Sequence, residues 1–486
     1  MSYAKKTMIG TLWNTMSNMG NQLISLLVYV LLARLLSVEE FGLIAFSFLI
    51  LELGNLFVGF GINQNLIQKS EWDDKFAKTC FWFLLGISTL IGATIALIIA
   101  PISSYFYEAG SGTVLLFLAL VPVLNGVSFV NSAKLEREFK NKKLSAITLT
   151  SVTIGGIVSI TLALNDFGVW SVIWGRLIQS ALNSVLLIAA TNFRPALTIN
   201  KMHISELVNF GLPLMWIALM RFFAEKTMNF AVALVLGNAA FAFVSVAQRG
   251  QTTLTSLTIG PLNKMLVPSF SRISDDKVAE SYYRVLRASS LIVLPVILGF
   301  AAIAELAVQL TFGDKWLISA ELISILSFVI IASILGWFLP AIMISRARTH
   351  AAFQLAVITL IGNVSAAIAA AFFGIYAIAT AVTLVTFITL PMRYRIIQKF
   401  VSISFKKSFE SVLPSTVAAL TMFILIYTSL QHKVIETGLP ILDLTLYVAV
   451  GGICYLAVLV LLFRGYFFSS LSELKALKRK KKKEKI

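Results

Sequence analysis

Charged residues are scarce in this chain of 486 residues, and their scarcity excludes the soluble classes of protein. Asp, Glu, Lys and Arg make up 13% of the sequence, against about 25% in soluble domains. Apolar residues make up 58%, and the mean hydropathy is +0.87. Apolar runs divided by short polar breaks extend along the sequence, so we expect nearly all of it to lie in a bilayer.

Cysteine and histidine are also rare, which argues against a disulfide framework or a metal site. Cys80 and Cys454 are the two cysteines, in or beside different apolar runs. His203, His350 and His432 are scattered without the spacing of metal ligands. The sequence contains no Walker A motif, so we predict no cofactor and no ATP site. The predicted external loops are too short for a catalytic domain, so an enzyme is not expected.

Apolar runs of about 20 residues predict fourteen transmembrane helices and therefore an all-α polytopic membrane protein. The seventh and eighth predicted spans, 206–236 and 239–262, are separated only by a short turn at 237–240. The tenth and twelfth predicted spans are 317–345 and 375–393.

The distribution of basic residues predicts that both termini are cytoplasmic. With the N-terminus inside, 33 of the 40 Lys and Arg residues fall on the inner side, including those of 393–407 and the tail. The polybasic tail at 466–486 is expected to bind membrane lipid headgroups, and we predict no nucleic-acid partner.

A weak repeat near an offset of 200 residues predicts two parallel six-helix lobes. Leu35, Leu36 and Phe41 correspond to Val235, Leu236 and Phe241. We therefore predict an N-lobe at 1–200, a C-lobe at 201–400, two extra helices at 401–465 and the tail at 466–486.

Polar side chains recur along one face of the first span. Asn14, Asn18 and Gln22 follow each other at intervals of four residues. Because unpaired amides are costly in hydrocarbon, this stripe should line a cavity or bond to neighbouring helices. Gln248 and Gln251 in the eighth span are candidates for the same lining.

Four basic residues fall inside predicted spans, where a charge is costly. They are Arg176, Arg221, Lys226 and Arg249. Guanidinium and ammonium groups suit phosphate oxygens, so these four are candidate substrate-binding residues of a cationic cavity. The alternative is structural pairing, for example of Arg221 with Glu225. Glu52 and Glu225 are candidates for ion coupling or for counter-ions.

Short segments spread over nearly 300 residues resemble the Wzx-type oligosaccharide flippases. The segments are 32–42 (LARLLSVEEFG), 135–140 (LEREFK), 168–170 (GVW), 210–213 (FGLP), 267–272 (VPSFSR) and 312–316 (FGDKW). This polysaccharide transport family belongs to the superfamily that also contains MATE-type multidrug exporters and lipid II flippases.

The resemblance implies a bacterial inner-membrane transporter that works by alternating access. Its substrate would be an undecaprenyl-pyrophosphate-linked oligosaccharide, destined for exopolysaccharide, O-antigen or a similar glycan. A proton or sodium gradient would be the energy source, and a glycan polymerase with its chain-length regulator would be partners. An ion-coupled exporter of the MATE type and a lipid II flippase are the alternatives.

Overall fold

The computed structural model describes residues 3–59, 73–108, 110–259, 270–271 and 273–470. Within these ranges every regular element is a helix, and no strand is present. The predicted all-α fold is therefore confirmed.

Eight helices are described before residue 200. They are α1 (Tyr3–Leu35), α2 (Val38–Gly59), α3 (Asp74–Thr94), α4 (Ala100–Phe106), α5 (Ser111–Leu118), α6 (Leu120–Arg137), α7 (Asn141–Ala163) and α8 (Val169–Ala190). A π-helical segment, Ile95–Ile99, joins α3 to α4. This widened turn lies just before Pro101, which has no N–H for a regular helical bond.

Ten further α-helices both begin and end within the described residues after 200. They are α9 (Lys201–Thr258), α10 (Asp275–Ala302), α11 (Ala304–Thr311), α12 (Leu317–Ser327), α13 (Val329–Trp337), α14 (Leu339–Ser345), α15 (Thr349–Ala370), α16 (Ile375–Gln398), α17 (Phe405–Gln431) and α18 (Pro440–Leu462).

Twelve helices of the described chain are long and apolar enough to cross a membrane, and a bent pair makes thirteen. The bent pair, Asp314–Ser327 with Val329–Ser345, turns by 46° and corresponds to the tenth predicted span. The count falls below fourteen because the seventh and eighth predicted spans lie in α9 without a loop between them. Gly237 breaks α9 with φ 83° and ψ −171°, which glycine adopts readily. This break lies at the predicted turn. The cytoplasmic placement of the termini stays a prediction.

The chain divides into two compact units. Unit 1 comprises Met1–Phe223 and Gly237–Ala242, and unit 2 comprises Ala224–Leu236 and Phe243–Ile486. The boundaries predicted at residues 200, 400 and 465 stay predictions, and the tail from 471 lies outside the described residues.

Several segments that carried the family resemblance form helix caps and turns. Ser37 and Glu40 make a capping box at the start of α2: the Ser37 N–H donates to Glu40 Oε2 at 2.9 Å, and the Glu40 N–H donates to Ser37 Oγ at 3.2 Å. Phe139 takes a positive φ of 55° in the turn between α6 and α7. These segments therefore specify where helices begin and end.

The main core of unit 2 packs α10, α13 and α14 against α16, α17 and α18. Its fully buried side chains include Leu294, Phe338, Met343 and Ala418. Unit 1 has a smaller core where Phe76 and Leu84 of α3 meet Val130 of α6. Leu207 of α9 also belongs to this smaller core.

Candidate functional site

A polar cavity of about 380 Å³ lies within unit 1, among α2, α6, α7 and α8. Most of the residues that line it carry an amide or a hydroxyl, and Arg176 is the one formally charged residue among those that line it in the described chain. The polar lining consists of Asn55, Asn125, Ser128, Ser132, Thr148, Ser151, Arg176, Gln179, Ser180 and Asn183. No carboxylate is among the described residues of the lining, so these residues together carry a net positive charge.

Arg176 lies on α8, seven residues after the helix begins at Val169. Arg176 as a whole is half-buried, and its Nη1 donates a hydrogen bond to Gln179 Oε1 at 3.3 Å. The two residues are three apart, so they share one face of the helix. This contact holds the guanidinium at the cavity wall. Arg176 is thus the sequence-predicted cation for which the described residues show a polar site.

Small residues let α7 and α8 approach closely beside this site. A Cβ at Gly155 would lie 2.6 Å from the Cβ of Gln179, and a Cβ at Gly175 would lie 2.6 Å from the Gly155 carbonyl oxygen. Membrane helices often use small residues at such contacts, because dispersion forces need close approach. The close contact of α7 with α8 beside Arg176 and Gln179 therefore depends on glycine at both positions.

Three asparagines, Asn55, Asn125 and Asn183, line other parts of the cavity. Asn125 Nδ2 on α6 donates to Asn55 Oδ1 on α2 at 3.2 Å, which ties these helices together. Asn183 lines the wall one turn beyond Gln179, and its Oδ1 is buried without a hydrogen-bond partner among the described residues. An unsatisfied buried acceptor is costly, so this amide can gain from a donor on a bound molecule.

Sequence reasoning missed Gln179, Asn183 and Asn55. The signal for the first two was present, because Arg176, Gln179 and Asn183 recur at intervals of three and four residues along α8. Asn55 carried no comparable signal, since it is a single amide on another helix. Its role depends on tertiary packing.

The polar stripe of the first span is only partly described. α1 includes Asn14, but the side chain of Asn14 lies outside the described part of the structure. Asn18 is exposed, and Gln22 is half-buried. Neither borders the unit 1 cavity. A sugar-binding role for this stripe stays a prediction.

Gln248 and Gln251 make internal hydrogen bonds in unit 2. Asn229 Nδ2 donates to Gln248 Oε1 at 2.9 Å. Gln251 Nε2 donates to Ser327 Oγ at 2.9 Å and to the Ile323 carbonyl oxygen at 3.3 Å. The Gln251 amide therefore donates a hydrogen bond to a backbone carbonyl near the bend between α12 and α13. Cavity lining by both glutamines stays a prediction.

The remaining charged candidates lie on long helices. In unit 1, Glu52 is an exposed residue of α2 and Arg221 an exposed residue of α9. In unit 2, Glu225 is exposed, while Lys226 and Arg249 are half-buried on α9. A common aqueous space for these side chains stays a prediction, as do their roles.

The helical fold and the polar, positively charged cavity define a multi-pass membrane protein of the transporter type. Residues 31–321 match the family described as "Polysaccharide biosynthesis protein". This match covers more than half of the chain, so the chain belongs to that family.

Relatives from three bacteria are similar to the chain. The Lipopolysaccharide biosynthesis protein WzxC of Escherichia coli (strain K12) is 23% identical over 361 residues, or 73% of both chains. The Succinoglycan biosynthesis transport protein ExoT of Rhizobium meliloti (strain 1021) is 21% identical over 63% of this chain and 62% of its own. The Teichuronic acid biosynthesis protein TuaB of Bacillus subtilis (strain 168) is 19% identical over 94% of this chain and 96% of its own.

Two solved structures share the fold. The lipid II flippase MurJ, in an inward closed conformation, superposes with a TM-score of 0.75 over 95% of this chain and all of its own, at 15% identity. An inward-facing MATE family multidrug transporter superposes with a TM-score of 0.53 over 80% of this chain and 96% of its own, at 16% identity. The predicted superfamily fold is confirmed.

Proposed function

We propose that this protein is a flippase that moves an undecaprenyl-pyrophosphate-linked oligosaccharide from the cytoplasmic to the outer leaflet of the bacterial inner membrane. The single observation that carries the proposal is a cation at the wall of a polar cavity, inside a chain of the polysaccharide biosynthesis family. The names of the relatives, which include lipopolysaccharide and succinoglycan biosynthesis proteins, support a glycan substrate.

The charge of the cavity favours an anionic substrate over the cationic drugs of a multidrug exporter. An exporter of cations needs carboxylates to offset the cost of moving the charged drug out of water. The described lining of the unit 1 cavity offers a guanidinium and neutral amides instead. The protein acts in this proposal as a transporter with no catalytic residue and no cofactor.

In this proposal the four intramembrane cations share the charged part of the substrate. Arg221, Lys226 and Arg249 bind the pyrophosphate during alternating access, and Arg176 assists from the unit 1 cavity. Guanidinium groups form charge-assisted, often bidentate hydrogen bonds with phosphate oxygens. The amides Asn14, Asn18, Gln22, Gln248 and Gln251 line the polar path of the sugars.

A proton or sodium gradient is the proposed source of energy, with Glu52 and Glu225 as coupling sites. A carboxyl group within a membrane protein can exchange a proton or a cation between two conformations. A glycan polymerase and a chain-length regulator are the proposed protein partners, because a repeat unit that reaches the outer leaflet must be polymerised there.

Reconstituted transport tests the proposal. The full chain is placed in liposomes that carry a fluorescent lipid-linked oligosaccharide, and its appearance in the opposite leaflet is measured by quenching with an impermeant reductant. We expect Arg221→Ala and Arg249→Ala each to slow transport at least about tenfold, since each loses charge-assisted hydrogen bonds. Lys140→Ala is the matched control, because Lys140 is an exposed cation in the turn after α6. Undiminished transport in both arginine variants would refute the assignment.

The gradient and the alternative substrate are tested in the same liposomes. Proton and sodium gradients are imposed separately, and Glu52→Gln and Glu225→Gln should each reduce the response to the coupling ion. Equal transport with and without either gradient would exclude ion coupling. A cationic dye loaded in place of the glycan should not be transported, because its positive charge is repelled by the positive charge of the cavity.

A further inference from the structure

The unit 1 cavity offers one positive charge to an occupant, and this sets the charge of the group that fits it. Arg176 is the one charged residue of the described lining, where neutral amides and hydroxyls surround it. A pyrophosphate carries at least two negative charges and is best matched by several cations. A single carboxylate is the better electrostatic match for this cavity.

We infer that the unit 1 cavity is a subsite for a carboxylated sugar residue, such as a hexuronate, within the transported oligosaccharide. This inference rests on the proposed flippase function and names the substrate class of one of its sites. Arg176 would bind this carboxylate instead of assisting at the pyrophosphate, which Arg221, Lys226 and Arg249 would bind without it. The amides of α6 and α8 would bind the ring hydroxyls.

The hydrogen-bonding capacity of Arg176 supports a bound carboxylate. A guanidinium has five N–H donors, and in the described part of the chain Gln179 engages one of them. Because Gln179 Oε1 is a neutral acceptor, it orients the guanidinium without cancelling its charge. The other donors remain suited to a bidentate contact with a carboxylate.

The rest of the lining suits the hydroxyl groups of a sugar. Asn183 Oδ1 is an acceptor without a partner among the described residues, so a hydroxyl donor would satisfy it. Thr148 and Ser151 on α7 and Ser180 on α8 add hydroxyls around the cavity. Phe129 supplies an apolar wall for the C–H face of a ring.

The size of the cavity suits one sugar residue. Ligand cavities in proteins usually measure about 300 to 1,000 Å³, and this one, at about 380 Å³, lies near the lower end. A longer glycan would extend beyond it. The subsite would therefore select one residue of the repeat unit.

Direct binding gives the first test. The full chain in lipid nanodiscs is titrated with glucuronate, glucose and inorganic pyrophosphate, and binding is followed by ligand-observed NMR. We expect glucuronate to bind at least about tenfold more tightly than glucose, as a charge-assisted contact allows. Equal binding of the two sugars would overturn the inference. The inference would also be overturned if inorganic pyrophosphate displaced bound glucuronate at a concentration lower than that of glucuronate.

Two variants and one control locate the effect. Arg176→Gln removes the cation, and Gln179→Glu keeps Arg176 but places a carboxylate beside it in an isosteric side chain. In both variants glucuronate should bind about as tightly as glucose. Lys140→Gln removes the same charge outside the cavity and should leave the preference for glucuronate unchanged. Should Arg176→Gln fail to fold, Gln179→Glu alone decides. An unchanged preference in Gln179→Glu would overturn the inference.

Transport separates the failure of the subsite from the failure of the proposed function. Liposomes carry lipid-linked oligosaccharides that differ only in one residue, glucuronate or glucose. Gln179→Glu should slow the acidic substrate alone. If the variant slows both equally or neither, the subsite is wrong while the flippase function stands. If the native protein moves neither substrate, the proposed function fails.

Discussion

Arg393 supplies the hydrogen bond that Pro340 denies to the tenth predicted span. In a regular helix the N–H of residue 340 would donate to the Gly336 carbonyl, but proline has no N–H. Arg393 Nη2 on α16 donates to this oxygen at 3.1 Å instead. The Phe338 N–H also reaches it, from only two residues along the chain. Gly336 permits the approach, since a Cβ there would lie 2.7 Å from Arg393 Nη1.

The neighbouring carbonyl is satisfied in the same way. The Leu335 oxygen accepts a hydrogen bond from Tyr394 Oη at 2.9 Å and another from Tyr282 Oη. Both tyrosines are fully buried, on α16 and α10. The break at Phe338, between α13 and α14, is therefore held by side chains of two adjacent helices.

A double-mutant cycle tests whether the Arg393 side chain takes the place of the backbone donor that Pro340 lacks. A hydrogen bond to a charged group contributes about 1.5 to 3 kcal/mol, so Arg393→Met should lower the free energy of unfolding by that amount when Pro340 is present. Pro340→Ala restores a backbone N–H that can bond to Gly336. In that background we expect Arg393→Met to cost under about 1 kcal/mol. Reversible unfolding of the full chain in mixed micelles gives the four free energies.

Arg395→Met is the matched control, because Arg395 is an exposed cation two residues further along α16. Arg395→Met should lower the free energy of unfolding only slightly, and its effects in the native and Pro340→Ala backgrounds should agree within ~0.5 kcal/mol. The reasoning would be refuted if Arg393→Met cost the same in both backgrounds, since Arg393 would then stabilise the protein by contacts unrelated to the missing N–H.

Hydropathy and glycine placement were sufficient to predict most of the helical layout. The spans are long apolar runs, and a helix is the one element that satisfies its own backbone in a bilayer without closing into a barrel. Gly237 was predicted within a short turn, and it breaks α9 at that point. The absence of a loop there could not be predicted, because one residue with positive φ can redirect a helix without adding length.

The polar contacts were less predictable because they depend on which helices become neighbours. Arg393 is a clear case. The sequence places it at the end of the twelfth predicted span, among the cytoplasmic basic residues of 393–407. In the structure α16 continues to Gln398, and the Arg393 guanidinium contacts α13. Arg176 was predicted as an intramembrane cation from its cost in a bilayer. Its cavity also includes Asn55, a single amide on α2 that no sequence pattern singled out.

Three further substitutions test local features of the fold. Glu40→Ala removes the acceptor for the Ser37 N–H and should lower the unfolding free energy by about 1 kcal/mol; no change would show that the capping box adds nothing. Gly175→Ala puts a methyl group against α7, so thermal unfolding should shift downward by the equivalent of about 1 to 3 kcal/mol, and an unchanged midpoint would contradict the close packing. Gln251→Leu preserves volume but removes the donor to the Ile323 carbonyl at the 46° bend. Because that carbonyl would lose a hydrogen bond, we expect stability to fall by about 1 kcal/mol. An unchanged free energy of unfolding would show that this contact does not stabilise the bend.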